Sequence, residues 1–352
     1  MAKKLMKGNE ALGEAAIQAG CRYFFGYPIT PQNEIPSYLS RKLPEVGGVY
    51  LQAESEVAAI NMVYGAAGAG ARVLTSSSSP GISLKTEGIS YIAGAQLPCV
   101  IVNIVRGGPG LGGIQPAQSD YFQATKGGGH GDYRLVVLTP STVQELVDLT
   151  MEAFEIADQY RTPVMILGDG IMGQMMEPVE FNPPKKRELP EKTWATTGCE
   201  GREPNVTNSL HMAAEDLENH NLNLLAKYKE IAQNETKYES YETGDADIVL
   251  VAYGTTARIC KTAIAELRKE GLKVGLIRPI TVWPYPDKAF EEVMDTAKEF
   301  VCIEMSTGQM VEDVRLAVNG RKPVHFYGRT GGVIPSPQEV ADKIREIAGG
   351  VK

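Results

Sequence analysis

The sequence predicts an α/β protein, a doubly wound domain followed by a smaller α/β domain. Two observations carry that expectation. Short apolar strands alternate with helical stretches from Tyr23 to Asp169, and again from Asp247 onward. The run Cys99-Val-Ile-Val-Asn-Ile-Val105 is almost continuously apolar, as a central parallel strand covered on both faces must be. Between the two alternating regions, Asn182-Pro-Pro-Lys-Lys-Arg187 opens a polar, aperiodic stretch that reads as a linker crossing a surface. The expected division is a first domain over 1–180, a linker with a long helix over 181–244, and a second domain over 245–352.

Taken in order, Asn9 is expected to cap a helix that runs to about Ala19 and ends at Gly20. Tyr23-Phe-Phe25 reads as a strand. It leads into Gly26-Tyr27-Pro28-Ile29-Thr30-Pro31, where two prolines bias Tyr27 and Thr30 toward extended backbone and stiffen the loop. A helix follows from about Asn33, then a strand at Val49-Tyr-Leu51.

Ser55 is a good helix N-cap, and it places Glu56 in the first turn, where the helix dipole favours an ionised carboxylate. The apolar and small residues behind it, through Gly70, predict a buried, closely packed helix. A carboxylate at the mouth of such a helix is either a cap or a reagent, and the residue types leave both readings open.

Arg72–Thr75 reads as a strand and Ser76–Ser79 as a polar turn, with a helix from about Leu84 to Gln96. Beyond Val105, Arg106 opens the glycine-rich loop Gly107–Gly113, and a second such loop, Gly127–Gly131, holds His130. Val136–Leu138 is a strand, Ser141-Thr-Val-Gln144 a capping box for a helix to about Tyr160, and Val164–Leu167 a strand. A long helix is expected from Asn208 to about Gln233. The second domain then reads as strands at Ile248–Ala252, Val274–Ile277, Phe300–Ile303 and Val324–Phe326, alternating with helices that begin near Thr256, Asp287, Gln309 and Pro337.

Composition excludes several function classes. The formal net charge of −8 argues against nucleic acid. No apolar run approaches the ~20 residues that span a membrane. The first residues carry no signal-like apolar core, so a cytoplasmic protein is expected. The five cysteines form no Cys-x-x-Cys, which fits buried thiols in a reducing compartment and leaves no usual iron–sulfur ligand set. The four histidines lack metal-ligand spacing.

Two motifs are weak matches. Gly108-Pro-Gly-Leu-Gly-Gly113 satisfies G-x-G-x-x-G, but Pro116 interrupts and no acid follows at the dinucleotide-binding distance. Gly168-Asp-Gly170 matches the start of the thiamine diphosphate metal motif, yet Thr196-Thr197 stand where the later asparagines belong, so it reads as a strand-end turn.

Several pieces together resemble one family: Gly26-Tyr-Pro-Ile-Thr-Pro31, Glu54-Ser-Glu-Val-Ala-Ala59, Arg106-Gly-Gly-Pro109, Ile277-Arg-Pro-Ile280 and Glu304-Met-Ser-Thr-Gly-Gln309. The chain resembles, over nearly its whole length, the α-type subunit of the 2-oxoacid:ferredoxin oxidoreductases, and most closely their 2-oxoisovalerate branch. The resemblance implies a pyrimidine-binding domain for thiamine diphosphate followed by a transketolase-C-like domain. It implies that Glu56 hydrogen-bonds N1′ of the aminopyrimidine, with Glu54 the alternative, and that Thr30 and Arg106 meet the 2-oxo acid. Arg106 could grip its carboxylate with two hydrogen bonds. Tyr27, Pro28 and Ile29 fall with Thr30 on the expected cofactor loop. His130 is held as a structural histidine beside a lid or proton role.

The resemblance also implies partners. A β-type subunit would carry the diphosphate and Mg²⁺ site, and a γ-type subunit and a ferredoxin-like subunit with iron–sulfur clusters would complete the complex. The implied reaction is oxidative decarboxylation of a branched-chain 2-oxo acid with CoA, giving acyl-CoA, CO2 and reduced ferredoxin. The same chemistry on 2-oxoglutarate or pyruvate, a non-catalytic scaffold subunit and a one-chain transketolase-like enzyme are the rival expectations.

Overall fold

In the computed structural model, which describes residues 3–184 and 187–350, the chain opens with strand β1 (Lys4–Lys7) and helix α1 (Gly8–Gln18). There follow β2 (Tyr23–Gly26), α2 (Glu34–Glu45), β3 (Val49–Gln52), α3 (Glu56–Gly68), β4 (Val73–Ser77), α4 (Pro80–Gly94), β5 (Cys99–Val105) and α5 (Tyr121–Thr125). Next are β6 (Val136–Leu138), α6 (Val143–Tyr160), β7 (Pro163–Asp169), α7 (Gly170–Gln174), β8 (Met176–Val179) and the long helix α8 (Ala214–Asn234). The remainder is β9 (Tyr238–Tyr241), β10 (Ile248–Val251), α9 (Gly254–Lys269), β11 (Val274–Pro279), β12 (Thr281–Trp283), α10 (Asp287–Glu291), β13 (Glu299–Glu304), α11 (Met310–Val318), β14 (Val324–Gly328) and α12 (Pro337–Gly350).

The larger sheet has seven strands in the order β12-β6-β7-β5-β4-β2-β3. All its neighbours run parallel except β12, which pairs antiparallel with β6. β5 and β7 at its centre are buried along their whole length, in keeping with the apolar run from Cys99. The smaller sheet has the order β14-β13-β10-β11-β9, with β9 antiparallel at its edge. β1 and β8 form a separate antiparallel pair. The sequence reading missed β1, β8 and β9, which are four-residue strands with at most one buried residue each and little apolar signal, and the three-residue β12.

Several expected boundaries are corrected. Lys7, not Asn9, holds the cap position of α1, and Asn9 is buried in the first turn. Its amide donates to the Pro31 carbonyl and to Glu34, so it ties α1 to the start of α2. Ser76 and Ser77 are buried strand residues rather than a turn, and α4 already begins at Pro80. The capping box of α6 sits one residue later than expected. Thr142 accepts from the Glu145 N–H while Glu145 reaches back to Ser141. The long helix begins at Ala214, because Asn208 closes a local turn by accepting from the Leu210 N–H. Helix α3 buries Ala59, Ile60, Val63 and Ala67 but leaves Val57 and Asn61 on an open face.

Both sheets are held at one seam. Gln118 is buried there, donating to the Tyr253 carbonyl and accepting from the Met305 N–H and the Thr256 hydroxyl. Arg278 on β11 is 3% exposed and grips Glu145, at the head of α6, with two hydrogen bonds of 2.9 and 2.7 Å. Burial alone would raise the Glu145 carboxyl, but the hydrogen bonds and charge of Arg278 outweigh it and hold the group below its ordinary 4.5. A carboxyl held lower in the folded state than in the unfolded one adds stability that is present above the unfolded value and lost as the pH falls through the folded one. The thermal midpoint should therefore be level near neutrality and fall below about pH 4.5. Arg278→Met should lower it at pH 7 and make the acid fall smaller, as read by calorimetry.

Candidate active site

Parallel strands deliver their following loops to one edge of the sheet, the place where open α/β sheets bind ligands. Here β2 leads to Thr30, β3 to Glu56, β4 to Ser79 and β5 to Arg106. The structure brings these residues together around the first turn of α4.

Ser55 caps α3 as expected, its hydroxyl accepting from the Ala58 N–H at 3.2 Å. Glu56 follows and is 6% exposed, whereas Glu54 points into an exposed position. The Glu56 carboxylate accepts no hydrogen bond from any described residue. It lies against Gly81, where an added Cβ would stand 2.6 Å from Glu56 Oε1 and 2.0 Å from Ser77 Oγ. Ser77 Oγ and Ser78 Oγ are themselves buried without a hydrogen-bond partner among the described residues. Gly81 thus lets the Glu56 carboxylate and the Ser77 hydroxyl approach the first turn of α4 closely, and the carboxylate and both serine hydroxyls keep hydrogen-bonding capacity, among the described residues, for a polar group such as an aminopyrimidine.

Arg106 is buried at the end of β5. Its guanidinium donates to the Thr30 carbonyl at 3.0 Å and to the Leu111 carbonyl at 3.2 Å, while Nε has no partner among the described residues. Two of its donors thus tie the Thr30 loop to the glycine loop that follows Arg106. Ser79 links this residue to α4: its hydroxyl accepts from the Arg106 N–H, and its own N–H donates to Asn103. Ser79 stands at φ 26, a left-handed backbone that a serine adopts only when its surroundings hold it. Thr30 is exposed, its hydroxyl accepting from Asn33, and it lines a cleft of about 270 Å³ with Ile114, Gln115 and Pro116. The peptide bond after it, to Pro31, is cis.

Tyr27 and Pro28 are exposed and Ile29 is half-buried on the same loop, which Gln32 fastens by accepting from the Ser76 hydroxyl and donating to the Tyr27 carbonyl. His130 lines a different cavity, of about 280 Å³, with His211 and His220. Asp169 does not reach toward a metal: its Oδ1 accepts from the N–H groups of Ile171 and Met172 and caps α7. Among the described residues no group of three or more His, Cys, Asp or Glu could hold a metal ion, and no helix is long and apolar enough to cross a membrane.

Sequence reasoning missed Lys85, Ser77 and Asn103. Lys85 could have been noticed, because it falls in phase with Ile82, Ile89 and Ile92 on the buried face of α4. Ser77 and Asn103 looked like ordinary polar residues at strand ends.

The chain is similar to known proteins. Residues 14–240 match the pyruvate flavodoxin/ferredoxin oxidoreductase, thiamine diphosphate-binding family, and residues 246–340 match pyruvate:ferredoxin oxidoreductase core domain II. Ketoisovalerate oxidoreductase subunit VorB of Methanothermobacter thermautotrophicus is 51% identical over 349 residues, covering 99% of both chains. The structure of 2-oxoglutarate:ferredoxin oxidoreductase from Magnetococcus marinus, with 2-oxoglutarate, coenzyme A and succinyl-CoA bound, superposes with a TM-score of 0.86 at 26% identity. That match covers 98% of this chain and 65% of the other. A split-gene transketolase, at 13% identity and a TM-score of 0.61, shares the fold.

Gly81→Ala should displace the Glu56 carboxylate or the Ser77 hydroxyl. The expected result is a loss of at least about tenfold in affinity for thiamine diphosphate, measured by titration of the assembled protein.

Proposed function

Because the chain belongs to the pyruvate flavodoxin/ferredoxin oxidoreductase family, we propose that it is the α-type subunit of an enzyme that oxidatively decarboxylates 2-oxoisovalerate with CoA, yielding acyl-CoA, CO2 and reduced ferredoxin. The observation that carries the site assignment is the buried Glu56 carboxylate, without a hydrogen bond among the described residues, at the strand-end edge where Thr30 and Arg106 also lie. The branched substrate is supported by the relative named for ketoisovalerate, which matches at 51% identity, against 35–38% for relatives named as 2-oxoglutarate synthase subunits.

Thiamine diphosphate, when bound, supplies the carbanion chemistry that breaks the bond between carboxylate and carbonyl carbon. Glu56 would hold N1′ of its aminopyrimidine and share a proton with that nitrogen. The burial of Glu56 keeps water from competing for that hydrogen bond. Tyr27, Pro28 and Ile29 would form the wall of the cofactor loop. Arg106 would meet the carboxylate of the oxo acid from the end of β5 with the N–H donors not spent on the Thr30 and Leu111 carbonyls, and Thr30 would orient the acid from the opposite loop. Since Asp169 is engaged as a cap, Mg²⁺ and the diphosphate are assigned to a β-type partner. The γ-type subunit and the iron–sulfur clusters of a ferredoxin-like subunit complete the complex, which we place in the cytoplasm.

The test is made on the native complex isolated through this chain. Reduction of a one-electron acceptor is assayed with 2-oxoisovalerate, 2-oxoglutarate and pyruvate, with and without CoA. CoA-dependent reduction fastest with 2-oxoisovalerate is expected, and a faster rate with either other acid overturns the substrate assignment. Glu56→Ala should lower kcat by roughly 10²–10⁴-fold, and full turnover in that variant would return Glu56 to the role of a helix residue. Arg106→Lys should raise KM for the oxo acid by about tenfold or more, since an ammonium loses the planar fork.

A further inference from the structure

Lys85 is fully buried on the inward face of α4. Its Nζ donates to Thr75 Oγ1 at 2.7 Å and to the Ser76 carbonyl at 3.1 Å. Both acceptors are uncharged, and an ammonium has a third donor to place. A buried ammonium far from any counter-charge is costly enough that such a residue needs a reason to be there.

The acid whose charge reaches it is Glu56. Burial pushes the lysine down to about 7, and Glu56 pulls the other way. The remaining ionisable neighbour is Cys99 on β5, whose thiol burial pushes up to about 12, so it stays neutral. Lys85 lies one helical turn beyond Gly81, the residue that abuts Glu56 Oε1, and it holds the carbonyl next to Ser77, whose hydroxyl flanks the same point. Its anchor is also fixed from behind: the Thr75 hydroxyl donates to the Phe25 carbonyl, and Ser76 to Gln32 under the loop that carries Thr30.

We propose that Lys85 is a positioning residue for Glu56, the buried counter-charge that sets how tightly the carboxylate holds the proton it shares with the aminopyrimidine. It acts through its field, with no hydrogen bond to Glu56 and no contact with substrate. The proposal rests on the reading of Glu56 given above.

Removing a positive charge beside an acid raises the proton affinity of that acid, so any transition governed by the shared proton moves to higher pH. The test titrates thiamine diphosphate with Mg²⁺ into the cofactor-free complex across the neutral pH range, following protein fluorescence. Lys85→Met should move the pH midpoint of cofactor binding upward by about half a unit or more. In a Glu56→Gln background the same substitution should leave the midpoint unmoved, because the group it acts on is gone. A merely structural lysine would instead weaken binding by the same factor at every pH and in both backgrounds, and that result overturns the proposal. Should Lys85→Met fail to assemble, Thr75→Val decides: it keeps the lysine, removes one acceptor and should move the midpoint in the same direction by less, with no movement counting against the proposal. The two readings fail separately. If Glu56→Gln retains full turnover, the assignment of Glu56 falls. If it abolishes turnover while Lys85→Met leaves the midpoint in place, Lys85 alone is misassigned.

Discussion

Six parallel strands that run in one direction must release their following loops at one edge, and the rest of this molecule depends on that constraint. Residues separated by dozens of positions, Thr30, Glu56, Ser79 and Arg106, need no special device to meet. They lie within the first four residues after β2, β3, β4 and β5 turn out of the sheet. What the side chains add is fine placement. Arg106 fastens the Thr30 loop and the glycine loop at once, and Ser79 fastens Arg106 to α4. Gly81 then lets Glu56 come closer to α4 than any side chain would permit.

The same edge faces the second sheet, which explains the density of buried polar contacts at the seam. Glu304, fully buried, accepts from the backbone N–H groups of Gln309, Met310 and Val311 and from the Ser306 hydroxyl, so β13 and α11 are locked at the turn that faces Gln118. A carboxylate with that many donors is strongly satisfied, and removing any one partner would strand another polar group away from water. Apolar contact continues across the boundary: a single buried cluster runs from Ile60 and Ile101 in the first half to Phe290 and Phe300 in the second.

Most of the alternation was legible because central parallel strands are apolar and two of the longer helices, α3 and α6, carry side-chain caps. The four-residue edge strands were not, since one buried residue among four leaves no period to read. Asn9 misled for a physical reason: the residue type that caps helices also serves well as a buried tether between two of them. The convergence of Thr30, Glu56 and Arg106 was legible from their places at strand ends together with the family resemblance. Glu54 and Glu56 could not be separated by residue type, and only the difference in burial distinguishes them here. Lys85 stayed hidden because a lysine is read as solvated by default, even in phase with three isoleucines. The glycine loop holding His130 lines a cavity with His211, just before α8, and His220, in the second turn of α8.

Strand β12 belongs to the second half of the chain by order and to the first sheet by hydrogen bonding, where Thr281 and Trp283 lie beside Leu138 and Val137. Trp283 also meets Tyr228 of α8 edge-on. The two halves are therefore interleaved, and neither is a portable module. A chimera that joined this first half to another second half would have to bring its own equivalent of residues 281–283, or leave β6 as a naked sheet edge. Recombination within such a fold is confined to crossover points that respect this strand, and the polypeptide is constrained to diversify as a unit.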